Sequence, residues 1–138
     1  MSEFDIKKMN QFVTDIQLLD IKLISASAED KMLSIENADS LNLTIKVDTK
    51  LSFDQQENNI IYKNEHTLKG MYHKKVALVV KCEYWLFYKL SSEAEEQYIK
   101  MFGEKSVILA TWPYFREYVS SMVSQMGHSK MTLPLIKR

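Results

Sequence analysis

The chain is poor in residues that interrupt secondary structure and in residues that bind metals. Its 138 residues include three glycines, two prolines, one cysteine and three histidines. So few glycines and prolines predict long helices and strands rather than many short ones. A single cysteine excludes an internal disulfide, and one cysteine with three histidines does not suit the usual four-ligand structural zinc site.

The chain also lacks an excess of charge and any long apolar run. Eighteen basic and eighteen acidic residues cancel, whereas a protein that binds nucleic acid is normally basic. No apolar stretch approaches the ~20 residues that cross a bilayer, and the first residues contain no apolar signal core. We therefore expect one soluble, cytoplasmic domain, residues 1–138, without a nucleic-acid or membrane partner.

Alternation of apolar and polar side chains predicts four strands. We place them at 15–27, 41–53, 60–71 and 76–90. The second has the clearest alternation, and the third is the weakest because polar residues dilute its pattern. The segment 1–10 is expected to be frayed or weakly helical, and 54–59 has the composition of a turn. The fourth strand has apolar residues on both faces, which is typical of a central strand or of one that meets a partner.

Two helices are predicted after the strands. The first covers 92–102 and is expected to end at Gly103. The second lies within 106–126, where apolar residues recur at steps of three and four, and Gly127 ends it. Pro113 is expected either to begin its regular part or to kink it.

The predicted order of elements defines an α+β fold: a four-stranded antiparallel sheet followed by two helices. Two helices can cover one face of such a sheet. The apolar part of the other face must then meet a second copy of the chain or remain as a binding surface.

Candidate chemistry is sparse. The three glycines are too far apart for a nucleotide loop, and no Gly-x-Ser-x-Gly elbow is present. Cys82 is expected to be an inert, packed side chain, since a reactive thiol needs a histidine close in space. His66 and His73 form a conceivable metal pair, although solvated histidines at the ends of hairpins are the favoured interpretation. We expect no enzymatic activity, no cofactor and no metal.

One segment points to a family. Residues 112–117 (Trp-Pro-Tyr-Phe-Arg-Glu), with the helix that continues to Gly127, resemble the signature helix of the SecB family of export chaperones. Leu133-Pro134 is similar to the apolar, proline-containing segment that follows this helix in the family. Asp20-Ile21 matches the first strand of the family.

The resemblance implies an ATP-independent holdase in the cytoplasm that keeps client polypeptides unfolded and assembles as a dimer or tetramer. It places client binding along the sheet and in the connection after the first strand, where the candidate residues are Met32, Leu33, Ile35, Trp85 and Phe87. It places the oligomer interface on the last helix, where the candidate residues are Trp112, Phe115, Arg116, Val119 and Met122.

Arg116 has two interpretations from the sequence alone. It lies beside the apolar stripe of the last helix, so it is either a plain surface residue or has a carboxylate partner elsewhere, including across a subunit boundary.

The role of such a protein stays open at this point. Export-type members of the family continue into a further helix and a tail that contacts the translocase motor, whereas some short SecB-like proteins act with toxin–antitoxin pairs and stabilise an antitoxin. An alternative without general chaperone activity is a scaffold protein with one dedicated protein partner.

Overall fold

The computed structural model describes residues 5–32, 35 and 43–128. The strands are β1 (Gln17–Asp30), β2 (Thr44–Gln56), β3 (Asn59–Tyr72) and β4 (Lys75–Lys89). They form one antiparallel sheet in the order β1-β4-β3-β2. The helices are α1 (Ile6–Asp15), α2 (Glu96–Phe102) and α3 (Ile108–Gln125), and a π-helical turn, Gly103–Val107, joins the last two. The predicted α+β class and its four-stranded antiparallel sheet are confirmed.

The N-terminal segment forms a longer helix than expected. Asp5 caps α1 by accepting a hydrogen bond of 2.8 Å from the backbone N–H of Lys7. Phe12 is buried against Phe102 of α2, with ring centroids 5.6 Å apart and an edge-to-face angle of 66°. This packing extends the helix to Asp15, so β1 begins at Gln17 rather than at residue 15.

The strand with the weakest sequence pattern is central. β3 pairs with β2 on one side and β4 on the other. Its pattern is weak because Asn64 and His66 occupy core positions, and both are fully buried. The predicted turn at 54–59 shrinks to Glu57 and Asn58, because β2 continues to Gln56.

The predicted end of α2 at Phe102 is confirmed, although the helix begins at Glu96 rather than at residue 92, and Gly103 does not stop the helical course of the chain. Gly103 has right-handed helical backbone angles, and the chain continues through the π-helical turn into α3. A Cβ at this position would lie 2.7 Å from Cε1 of Tyr62 and 3.0 Å from Cδ2 of Leu51. Glycine is therefore needed for the close approach of helix and sheet, and not for a cap.

The core lies between one face of the sheet and α2 and α3. Buried side chains of β3 and β4 alternate with partly exposed ones along both strands. The helix α3 crosses this face from β3, which it meets at Thr111, to the end of β1, where His128 contacts Asp30. Pro113 lies inside α3 on its exposed side, so the expectation that it begins the helix is wrong, and the expectation that it kinks the helix stays a prediction.

Candidate functional site

The predicted client residues of β4 lie on the outer face of the sheet, away from the helices. Trp85 and Phe87 are partly exposed. The Nζ of Lys63 lies 4.7 Å from the Trp85 ring centroid, and the Nζ of Lys22 lies 5.4 Å from that of Phe87. The stems of these lysines partly cover the aromatic rings, so the outer face is a mixed surface rather than a bare apolar one.

The predicted client residues of the connection lie at the other end of the sheet. Met32 is only 8% exposed, and its backbone N–H donates to the carboxylate of Asp30. Ile35 follows in the same turn, donating its N–H to the Met32 carbonyl at 3.1 Å. Leu33 lies outside the described residues.

The two groups of predicted client residues do not form one cluster. The backbone of Lys31 bonds to Ala77, which is eight residues along β4 from Trp85. At about 3.4 Å per residue, the two groups are on the order of 27 Å apart. Their role in client binding stays a prediction, but they would contact different parts of a client.

The predicted interface residues on α3 divide into two sets. Trp112, Phe115 and Val119 are buried in the chain's own core, where Phe115 packs 5.1 Å from the His66 ring. Arg116 and Met122 are partly exposed. The role of α3 in assembly stays a prediction, and among the five predicted residues only Arg116 and Met122 have appreciable area for a second copy.

An exposed apolar surface that the sequence analysis missed lies on β1. We call it the β1 edge; it comprises Leu18, Leu19, Leu23 and Ile24, each between 43% and 55% exposed. β1 is an outermost strand of the sheet, so one of its sides has no strand partner among the described residues. An exposed apolar edge strand is a template for pairing with another chain.

Two irregularities in β1 produce this surface. Leu18 pairs with Tyr88 and Asp20 with Phe87, which leaves Leu19 as an extra residue. A second shift between Leu23 and Ser25 leaves Ile24 extra in the same way. At each β-bulge the alternation of the strand is interrupted, so two apolar residues follow one another without a partner position on β4 for the second. In the sequence, this surface could have been found from the adjacent apolar residues at 18–19 and at 23–24. Strict alternation places only one residue of each such pair in the core.

A second open apolar surface lies on β2. We call it the β2 trough; it comprises Val47, which is exposed, and Leu43 and Ile45, which are partly buried and pack against the edge of the core. All three point to the helix side of the sheet. Val47 is 36% exposed because α3 leaves β3 and crosses toward β1, away from β2. The alternation of apolar and polar residues in 41–53 correctly predicted that these side chains share one face of the strand.

The β2 trough is level with the connection that follows β1. Ile45, Gly70, Leu78 and Asp30 lie in register across the four strands. Three strand spacings separate the outer two, on the order of 14 Å. A single extended segment is therefore long enough to contact both the trough and Met32.

A buried polar cluster fixes α3 on the sheet. His66 Nδ1 lies 2.9 Å from the Thr49 hydroxyl of β2, and Nε2 lies 2.8 Å from the Thr111 hydroxyl of α3. Asn64 donates from its amide nitrogen to Nε2 and to the Thr111 hydroxyl, and its Oδ1 is buried with no hydrogen-bond partner among the described residues. Burial lowers the pKa of His66 to about 4.

The same burial argues against nucleophilic chemistry at Cys82. His66 is the cross-strand neighbour of Cys82, so the histidine that a reactive thiol requires is close. Burial, however, raises the pKa of the Cys82 thiol to about 11 while it lowers that of the imidazole. Both side chains are therefore neutral near pH 7, and no thiolate–imidazolium pair forms.

The histidine pair considered for a metal is not assembled. His66 is buried at the centre of β3, which contradicts its interpretation as a solvated residue, whereas His73 is exposed in the turn after β3. Seven residues of strand separate them, on the order of 23 Å. Within residues 5–32, 35 and 43–128, no group of three potential metal ligands is found.

A cleft of about 250 Å³ lies between α1 and the start of α2. Its lining includes Lys8, Asp15, Glu93 and Tyr98. Lys8 forms an ion pair of 3.4 Å with Glu95 beside it. The lining is therefore acidic on balance, with Asp15, Glu93 and Glu95 against the single basic residue Lys8.

The fold formed by this sheet and these helices is similar to that of a SecB-like chaperone. The solved structure of the SecB-like chaperone Rv1957 of Mycobacterium tuberculosis, in complex with a ChAD peptide from the Rv1956 HigA1 antitoxin, matches with a TM-score of 0.77. The two sequences are 17% identical, and the match covers 91% of this chain and 94% of that chain. The sequence matches no family model and no curated protein. The fold implied by residues 112–117 is thus confirmed.

Membrane insertion through a helix finds no support in the described part of the chain. None of its helices is both long enough and apolar enough to span a bilayer.

Proposed function

We propose that this protein is an ATP-independent holdase that binds unfolded polypeptide segments and is not an enzyme. The observation that carries the proposal is a SecB-like fold with two separate apolar surfaces left open, the β1 edge and the β2 trough. Apolar burial is non-directional and contributes roughly 25 cal/mol per Å², so such surfaces accept many sequences without a nucleotide-driven step.

The two surfaces suit different partners. We assign the β1 edge to a second copy of the chain, because an exposed edge strand with apolar doublets pairs with an identical strand by two-fold symmetry. A dimer is the expected unit, and we assign further association into a tetramer to the partly exposed side of α3, which includes Arg116 and Met122.

We assign the β2 trough, with Met32 and Ile35 at the same end of the sheet, to clients. The known neighbour holds an antitoxin peptide, and an antitoxin segment is therefore the first client class that we propose. Export clients are the second. The neutral state of both Cys82 and His66 supports a role without catalysis, and the free buried thiol is consistent with the cytoplasm.

Suppression of aggregation tests the proposal. The purified chain should prevent aggregation of several unrelated, chemically unfolded proteins at near-stoichiometric ratio without ATP. Val47→Asp, which places a charge in the trough, should weaken suppression. Ser52→Asp introduces the same charge on the same strand but on the outer face, and should leave suppression unchanged.

Two other outcomes would change the conclusion. If neither the wild-type chain nor the Ser52→Asp variant suppresses aggregation of any client, the holdase proposal is wrong. If one protein alone is protected, the scaffold with one dedicated partner is the better description.

A further inference from the structure

A group of lysines surrounds the end of the sheet at which we place client binding. We call it the lysine rim; it comprises Lys46 of β2, Lys69 of β3, Lys74 in the turn after β3, and Lys75 of β4, all exposed. Residues 69–75 contain three of these lysines and no acidic residue. The rim is therefore a local positive patch on a chain with a formal net charge of zero.

Two other lysines of the outer face are paired with carboxylates. Lys63 pairs with Asp54 at 2.8 Å and Lys81 with Glu65 at 3.5 Å. Within the described residues, by contrast, no lysine of the rim forms an ion pair. Lys46 and Lys69 are direct cross-strand partners, an arrangement of like charges that destabilises a sheet.

Among the described residues, no carboxylate near the rim pairs with its lysines. Asp48 lies two residues from Lys46 on the outer face of β2 but forms no ion pair with the rim among the described residues. At the end of β1, Glu29 lies 4.0 Å from Lys31, and Asp30 lies 2.7 Å from His128. An external anion would therefore relieve the Lys46–Lys69 repulsion.

The rim is continuous with the β2 trough. Lys46 stands between Ile45 and Val47 on β2, so its side chain points to the outer face while its neighbours point into the trough. A peptide that lies along this edge of the sheet has side chains on both faces. Its apolar residues then meet the trough, and its alternate residues meet the lysines.

We propose that the lysine rim selects client segments in which acidic residues flank the apolar ones. The inference rests on the proposed function and specifies which clients the trough prefers. An acidic peptide fits better than nucleic acid, because the surface combines few charges with adjacent apolar side chains, and a phosphate backbone requires a denser basic surface.

Two labelled peptides test the proposal by fluorescence anisotropy with the full chain. Both carry the same apolar residues, one with flanking glutamates and the other with flanking lysines. At low salt the glutamate peptide should bind more tightly by roughly three- to tenfold, as expected for a few exposed charge pairs. The difference should shrink toward 1 M salt, where the Debye length falls to about 3 Å.

A matched pair of variants locates the effect. The triple variant Lys46→Gln, Lys69→Gln, Lys74→Gln should remove the preference. A control triple variant, Lys7→Gln, Lys89→Gln, Lys100→Gln, removes the same charge elsewhere on the exposed surface and should retain it. Both variants should suppress client aggregation, since the trough is unchanged.

The remaining outcomes contradict the inference in distinguishable ways. Equal binding of the two peptides by a chain that still suppresses aggregation overturns the inference and leaves the holdase function standing. A single-stranded oligonucleotide that binds as tightly as the glutamate peptide, and only when the rim is intact, would make the rim a nucleic-acid surface. Failure of both peptides to bind, together with failure to suppress aggregation, overturns function and inference alike.

Discussion

Acidification should destabilise this fold through one histidine. His66 is fully buried, and its pKa falls from 6.5 to about 4 in the folded chain. The side chains around it are Thr49, Asn64, Thr111 and the aromatic rings of α3, with no carboxylate among its hydrogen-bond partners. An imidazolium here would donate to two neutral hydroxyls, those of Thr49 and Thr111, which supply no opposite charge.

The sign and size of the effect follow from linkage. The folded pKa lies below the unfolded one, so between about pH 6.5 and 4 the unfolded chain binds more protons. The contribution of His66 to stability is therefore complete above pH 6.5 and is lost as the pH falls toward 4. At about 1.4 kcal/mol per pKa unit, the loss in the free energy of unfolding is about 3 kcal/mol.

Denaturant unfolding followed by tryptophan fluorescence measures this loss. The Trp112 ring lies 5.4 Å from that of His66 and reports on the docking of α3. The difference in unfolding free energy between wild type and His66→Gln should change by about 3 kcal/mol between pH 7 and pH 4, because the variant cannot titrate there. The control variant is His128→Gln, which removes a histidine that lies outside the buried polar cluster.

Direct titration provides a second readout that does not depend on how well a variant folds. In the wild-type chain, the NMR signal of the His66 ring should stay that of a neutral imidazole down to about pH 5. Titration of this ring near pH 6.5, or parallel stability curves for wild type and His66→Gln, would refute the reasoning.

Three further predictions concern the helices and the β1 edge. Gly103→Ala should destabilise by about 1–3 kcal/mol in thermal unfolding, although alanine favours helices, because its Cβ would meet the Tyr62 ring. Phe115→Ala should cost about 3–5 kcal/mol, since Phe115 is fully buried. The double variant Leu19→Asp, Ile24→Asp should lower the mass in light scattering to that of the monomer without loss of helix content, because it charges the assembly edge.

Each of these has its own control. Glu104→Ala changes an exposed residue of the same π-helical turn and should not destabilise; equal effects at 103 and 104 would rule out the steric explanation. A cost below about 1 kcal/mol for Phe115→Ala would mean that α3 is not docked as described. Thr44→Asp with Ser52→Asp charges the opposite edge strand, and an equal fall in mass in that variant would remove the β1 edge from assembly.

The sequence predicted the sheet well because the apolar faces of its strands are nearly regular. The alternation in β2 and β4 depends on side chains that enter one core, so pattern and structure agree. The helix side of β2 was also predictable, and with it the residues of the trough. The likeness of segment 112–117 to SecB chaperones rests on a helix whose buried residues pack on this sheet.

The rest depended on contacts that no local pattern encodes. From the sequence, Gly103 is interpreted as a helix end. Its role is set instead by its contact with Tyr62, 41 residues earlier in the chain. The Tyr62 hydroxyl donates to the Ile99 carbonyl at 2.6 Å. From the sequence, His66 is interpreted as a solvated residue. The fold instead places the hydroxyls of Thr49 and Thr111 within hydrogen-bond distance of its ring. The β1 edge was missed because bulges at Leu19 and Ile24 break the period-two rule.

Hydrogen exchange with and without a permanently unfolded client tests most directly whether self-association and client capture use different surfaces. We expect the client to slow exchange of backbone amides at the start of β2, residues 44–49, and to leave residues 18–25 of β1 unchanged at a fixed oligomeric state. Protection confined to β1, or none on either strand while the client is bound, would contradict the account.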